Sequence, residues 1–374
     1  MQKHHPIKTN KHAARRFRPA ALLCLAGLFA QSASAQPTFT IINIPGAGTA
    51  SGQGTLAESI NTSGVIAGNY WDSNTVSHGY VRAANGTITT FTAPGAGTTA
   101  GLGTGGCYAM NAAGDIAANY VNPAGSYRGL LRTANGTMHP FNAPGAGTAS
   151  GQGTVPYGIN ASLTISGTYF DGSNVAHGFI RASNGTFTSF DAPGAGTSSG
   201  QGTYAYTINN SGETTGSYTD PTGTIHGFVR AANGTITTFD APGAGGTYGY
   251  GINTAGTVAG NSWLAGQGAS GMVRAANGTF TAFNATGAGT ANNQGTVGWA
   301  INTTGAITGW YFDVNTLSHG FVRSAGGALG GFEAPGAGTA ANQGTTPFGI
   351  NNAGDIVGYL VDSSNVAHGF LRTP

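Results

Sequence analysis

Residues 157–190 read YGINASLTISGTYFDGSNVAHGFIRASNGTFTSF, and this stretch divides into four short strands. Tyr157 to Asn160, Thr164 to Phe170, His177 to Arg181 and Thr186 to Phe190 carry β-branched and aromatic residues, with Asn, Asp, Ser and Gly between them. Asn184-Gly185 separates the last two runs, and Asn-Gly suits a tight turn that requires positive φ. No helical periodicity is present.

The same pattern recurs along the chain. Counted from the segment Pro-Gly-Ala-Gly, units open at Pro45, Pro94, Pro144, Pro193, Pro242, Thr286 and Pro335, at intervals of 49, 50, 49, 49, 44 and 49 residues. The seventh unit stops at Leu371-Arg372-Thr373-Pro374 before a fourth strand, while Phe39 to Ile42 offers one ahead of Pro45. A linear solenoid needs capping repeats, whereas a chain whose first strand completes its last unit can close a circle. The expectation is an all-β, seven-bladed β-propeller of four-stranded blades, closed by the N-terminal strand, with the Ile60-Asn61 type of strand innermost. Each blade would cover the apolar face of its neighbour.

Residues 1–35 read as a secretion signal peptide. Lys3, Lys8, Lys11, Arg15, Arg16 and Arg18 precede an apolar run from Ala20 to Ala30, too short to cross a membrane, and Ala33-Ser34-Ala35 is a small-residue cleavage site. Cleavage would leave 36–374 as a single propeller domain, secreted to the periplasm or the cell exterior. All six basic residues of that leader are lost from the total of 14, leaving eight Arg against 12 acidic residues, a formal charge of −4. That balance removes the electrostatic basis for a nucleic-acid partner. Past residue 35 no stretch is long and apolar enough for a membrane helix, and Cys107 is the one cysteine, so no intrachain disulfide is expected. A monomer is expected.

Asn61, Asn111, Asn160, Asn209, Asn253, Asn302 and Asn351 hold one place in the seven units; Gly79, Gly129, Gly178, Gly227, Gly271, Gly320 and Gly369 hold another. Arg82, Arg132, Arg181, Arg230, Arg274, Arg323 and Arg372 hold a third, and each fork is expected to satisfy backbone carbonyls and a nearby turn. Five histidines, His78, His177, His226, His319 and His368, each stand six residues after Asp72, Asp171, Asp220, Asp313 and Asp362. Units two and five lack both partners. Joint loss is what a hydrogen-bonded pair across a hairpin produces, so the pairs are read as structural rather than as metal or proton-transfer sites. No metal and no cofactor are expected.

The unit Ile-Asn-x-x-Gly-x-Ile-x-Gly, followed by His-Gly-Phe-x-Arg and a Gly turn, resembles the HAF repeats of bacterial extracellular proteins. Gly stands here for the family's Ala, and Arg where Trp is often found. The resemblance covers nearly all of 36–374 and implies an exported repeat protein with a propeller-like fold. It transfers no catalytic residue.

A specific site is sought where the copies differ. Two residues before the Ile of the innermost strand stand Glu58, Tyr108, Tyr157, Tyr206, Tyr250, Trp299 and Phe348. Six aromatics and one acid would ring the axis, either packed between blades or forming a rim that stacks on sugar rings, helped by Gln53, Gln152, Gln201, Gln294 and Gln343. Glu58 could act as a general acid, yet no second carboxylate recurs at a spacing that supports a glycosidase. Cys107 reads as a small buried filler, Trp71, Trp263 and Trp310 as core, and the short fifth unit as a notch in one rim. The first function expected is a non-catalytic binding disc for an extracellular glycan or a protein. A structural surface or matrix protein, and a polysaccharide-active enzyme using Glu58, are the alternatives.

Overall fold

In each unit the β-branched and aromatic runs become strands because Gly, Asn and Asp interrupt them at positions that only turns accommodate. The computed structural model describes residues 36–264 and 266–374; the expected leader, 1–35, lies outside them. Strand β1 spans Thr38–Ile42, β2 Gly54–Ile60, β3 Ile66–Trp71, β4 Ser77–Arg82 and β5 Ile88–Phe91. From β2 to β5 they form an antiparallel meander, with Gly68 opposite Ala57 and Tyr80, and Gly79 opposite Phe91. The pattern continues to a last strand, Ala367–Thr373, and β1 pairs with it from Thr38↔Thr373 to Ile42↔Gly369.

The expectation of a seven-bladed propeller of four-stranded blades is corrected by the pairing. The described residues form one hydrogen-bonded sheet of 28 strands closed into a ring, with no helix. Each inner strand opens on a glycine, and all seven of these glycines are bridged in parallel to the third strand of the preceding unit, among them Gly54 to Ala367, Gly103 to Ser77 and Gly153 to Tyr127. Gly54 has a φ of 116°, and a Cβ there would overlap the Ala367 carbonyl. Glycine alone permits that approach, so units that the sequence presents as discrete sheets are joined edge to edge.

Three recurrent residues account for much of the packing between units. A Cβ on Gly178 would lie 2.6 Å from the Phe190 ring, so in six units the glycine of the third strand makes room for the aromatic of the fourth, Ile42 standing there in the last. The next unit's arginine then lies over that ring: Arg132 on Phe91, Arg181 on Phe141, Arg230 on Phe190, Arg274 on Phe239, Arg323 on Phe283 and Arg372 on Phe332, all within 4.8–5.1 Å of the centroid. Backbone carbonyl contacts of these forks are long, for example 3.4 Å from Arg181 Nη1 to Ala182. Cation–π contact therefore anchors them together with the expected carbonyl contacts.

The invariant asparagines form a belt around the other end of the axis. Asn160 Oδ1 accepts the backbone N–H groups of Ser162 and Thr164, closing its own turn, while Nδ2 donates to the Asn209 carbonyl of the next unit at 3.3 Å. Asn209, Asn253 and Asn302 each donate in the same way to the next asparagine.

Candidate binding channel

Each inner strand slips its register at the position that varies among units. The slip falls between Ala57 and Ser59 in the first unit, and likewise around Tyr157, Tyr250, Trp299 and Phe348; it is wider around Tyr108 and Tyr206. A bulge leaves one residue unpaired and re-aims its side chain. The side chains of these positions line a cavity of about 230 Å³ on the axis. The bulge carried no sequence signal beyond the small residues beside each aromatic.

The aromatics make a continuous arc. Ring centroids lie 5.2 Å apart from Tyr108 to Tyr157, 5.5 Å from Tyr157 to Tyr206, 5.5 Å from Tyr206 to Tyr250, 4.6 Å from Tyr250 to Trp299 and 5.6 Å from Trp299 to Phe348. Tyr108 is 38% exposed and the others are partly buried. Trp310 stands 5.4 Å behind Trp299, and Trp263 packs on Tyr248, so both support the arc. Between Phe348 and Tyr108 the arc is open, and Glu58 occupies the opening.

Glu58 is only 7% exposed. Its Oε2 accepts the backbone N–H of Cys107 at 2.7 Å. Burial pushes its pKa up to about 8, against a smaller opposing effect of the Cys107 N–H. The Asn69 carboxamide faces it, one amide atom lying 3.1 and 3.2 Å from the two carboxyl oxygens. With nitrogen toward Glu58, Asn69 donates to an ionised carboxylate. With oxygen toward Glu58, it accepts from the neutral acid and its Nδ2 donates to Ser77 Oγ at 3.2 Å, while Ser77 Oγ donates to the Thr104 carbonyl at 2.7 Å. The first network suits an ionised carboxylate and the second a carboxyl that burial keeps neutral. The Tyr80 hydroxyl is fully buried without a hydrogen-bond partner. Tyr80 replaces the Phe of most units, so two polar departures fall in the first unit.

Cys107 is free and fully buried. Burial raises its thiol well above the usual range, with Glu58 adding to the effect, which leaves it inert as a nucleophile. The Asp and His residues singled out in five units meet across their hairpins, away from the channel. His78, His177, His226 and His368 place Nε2 at 3.4, 3.5, 3.4 and 3.2 Å from Asp72, Asp171, Asp220 and Asp362, and His319 at 3.7 Å from Asp313. The other ring nitrogen meets Thr92, Asp191, Asp240, Asn43 or Glu333. The aspartate also closes its own turn, since Asp171 Oδ1 accepts the N–H groups of Ser173 and Val175. In the second unit Asn122 accepts the equivalent N–H groups of Ala124 and Ser126 without a histidine, so what is lost with the histidine is only the second carboxylate oxygen.

The glutamines are not part of the channel. Gln152 Oε1 accepts the Ala149 N–H and Nε2 donates to the Gly172 carbonyl, fastening two loops together. Among the described residues no cluster of three or more His, Cys, Asp or Glu is arranged to hold a metal, and no helix is long and apolar enough to cross a membrane.

No family model and no curated protein matches the chain. Solved structures do. Streptogramin B lyase superposes with a TM-score of 0.57 at 14% identity, covering 90% of this chain and 98% of that one. The BP39L lectin from Burkholderia pseudomallei gives 0.53 at 10% identity, covering 84% and 94%. A fungal lectin, Aleuria aurantia lectin, described as a six-bladed β-propeller with a novel fucose recognition mode, gives 0.40 at 11%, covering 89% and 93%. At these identities the likeness is one of fold alone, a closed ring of antiparallel strands.

Proposed function

We infer that the chain is an exported, non-catalytic binding propeller that takes a sugar at the aromatic arc of its channel. The observation that carries this is the run of six neighbouring rings, partly exposed, around one cavity of about 230 Å³. Aromatic faces suit the C–H faces of a pyranose, and a cavity this small suits one sugar unit rather than a long chain. One carboxyl lines the cavity, Glu58, whereas glycoside hydrolysis ordinarily needs two that flank the bond. The likeness to a lectin at a TM-score of 0.53 agrees with a binding role. The basic and apolar leader supports export.

The test is isothermal titration against a panel of neutral mono- and oligosaccharides. Saturable binding is expected, weakened about tenfold or more by Trp299→Ala, a loss of about 1.4 kcal/mol. Absence of saturable binding across the panel would overturn the reading. Export is checked separately by fractionation and by N-terminal sequencing, which should begin at Gln36.

A further inference from the structure

We propose that the opening in the aromatic arc selects an amino sugar with a free amine, its ammonium meeting Glu58 while the pyranose lies on the neighbouring rings. This rests on the reading of the channel as a sugar site and adds the ligand class. Glu58 is the one place in seven where the inward-turned residue of the bulge is not aromatic, and it lies between Tyr108 and Phe348, where the arc is interrupted. The opening is thus shaped by a side chain that supplies hydrogen-bonding oxygens instead of a ring face.

The surroundings favour a cation there. Among the described residues Glu58 has no basic partner: its contacts are the Cys107 N–H and the Asn69 amide, and six of the seven repeat arginines lie over Phe rings of adjoining units. Burial alone keeps the carboxyl neutral to about pH 8, and an opposite charge at hydrogen-bond distance restores its ionised form. Asn69 can follow that change by turning its amide, since nitrogen toward Glu58 donates to both oxygens. A desolvated ammonium beside the Tyr108 and Phe348 rings gains further attraction from their faces. N-acetylation removes the charge and adds bulk at the same atom, so it should exclude the ligand from the opening.

The experiment is competitive titration of the intact protein with glucosamine, glucose and N-acetylglucosamine at neutral pH. Glucosamine should bind at least about tenfold more tightly than either of the others. In Glu58→Gln, which keeps the shape and an acceptor for the Cys107 N–H, glucosamine should bind no more tightly than glucose. Equal affinity for glucosamine and glucose would overturn the amino-sugar assignment and leave the sugar site standing. Preference unchanged in Glu58→Gln would also overturn it. Failure of all three sugars, and of the neutral panel, would remove the sugar site and this assignment with it.

Discussion

Asn351 donates its side-chain amide to the Asn61 backbone carbonyl at 3.2 Å across 290 positions of sequence. That bond joins the last unit to the first at the same place where earlier units join one another. Its Oδ1 meanwhile accepts the N–H groups of Ala353 and Asp355. Asn351→Ala should therefore leave buried groups unpaired on both sides of the seam and cost about 1–3 kcal/mol. Denaturant unfolding measures this, and Asn351→Asp, which turns a carboxylate oxygen toward the Asp355 carboxylate and the Asn61 carbonyl, should lose at least as much as the alanine variant.

At the ring closure Ile42 stands opposite Gly369, where other units place a Phe. Among the described residues Arg82 is the repeat arginine without an aromatic ring beneath it, while Arg181 lies 5.0 Å from the Phe141 centroid. Arg181→Ala should destabilise by about 1 kcal/mol more than Arg82→Ala. Equal losses would show that the arginines act through their stems rather than through the ring faces.

Asp171 serves its own turn through one oxygen and His177 through the other. The histidine pair is partly exposed, so Asp171→Asn should cost less than about 1 kcal/mol. Asp171→Ala should cost more, because the N–H groups of Ser173 and Val175 then lose their acceptor. Thermal unfolding of the two variants separates the roles.

Glu58 sets a distinct pH dependence. Its pKa is raised from 4.5 to about 8 in the folded chain, so between these values the folded form holds a proton that the unfolded form has released. Stability should be full below about pH 4.5, decline as pH rises through this window and level off above about pH 8. The groups facing it, Tyr80, Cys107, Tyr108 and Tyr359, are all pushed upward by burial and stay neutral across the window. Asp72, Asp171, Asp220, Asp313 and Asp362 are held below the usual carboxylate value, Asp220 at about 2, chiefly by Thr222. Their contribution is lost only as pH falls further into acid, so the two windows do not overlap. Glu58→Gln should flatten the neutral decline alone, as read from unfolding midpoints across pH.

Much of the candidate site could be read in advance, and the reason is visible in particular residues. Glu58, Tyr108, Tyr157, Tyr206, Tyr250, Trp299 and Phe348 are found by aligning the units with one another, since the shared residues cancel and the departures remain. The glutamines were misleading because their repetition looks like a binding face, whereas Gln152 spends both ends on backbone groups of adjoining loops. Tyr80 gives little signal in sequence, since it differs from the Phe of most units by one hydroxyl.

The sequence by itself determined the period, the strand runs, the turns and the positions where units differ. These are local properties, set by φ preferences and side-chain shape over a few residues. Tertiary structure decided that the units share one closed sheet, because the Gly54 bridge depends on Ala367, over 300 residues away. It likewise decided that bulges turn the aromatics toward the axis and that the arc opens at Glu58. Those outcomes follow from contacts between separate units, and a local pattern holds no information about which side chain a distant strand will place beside it.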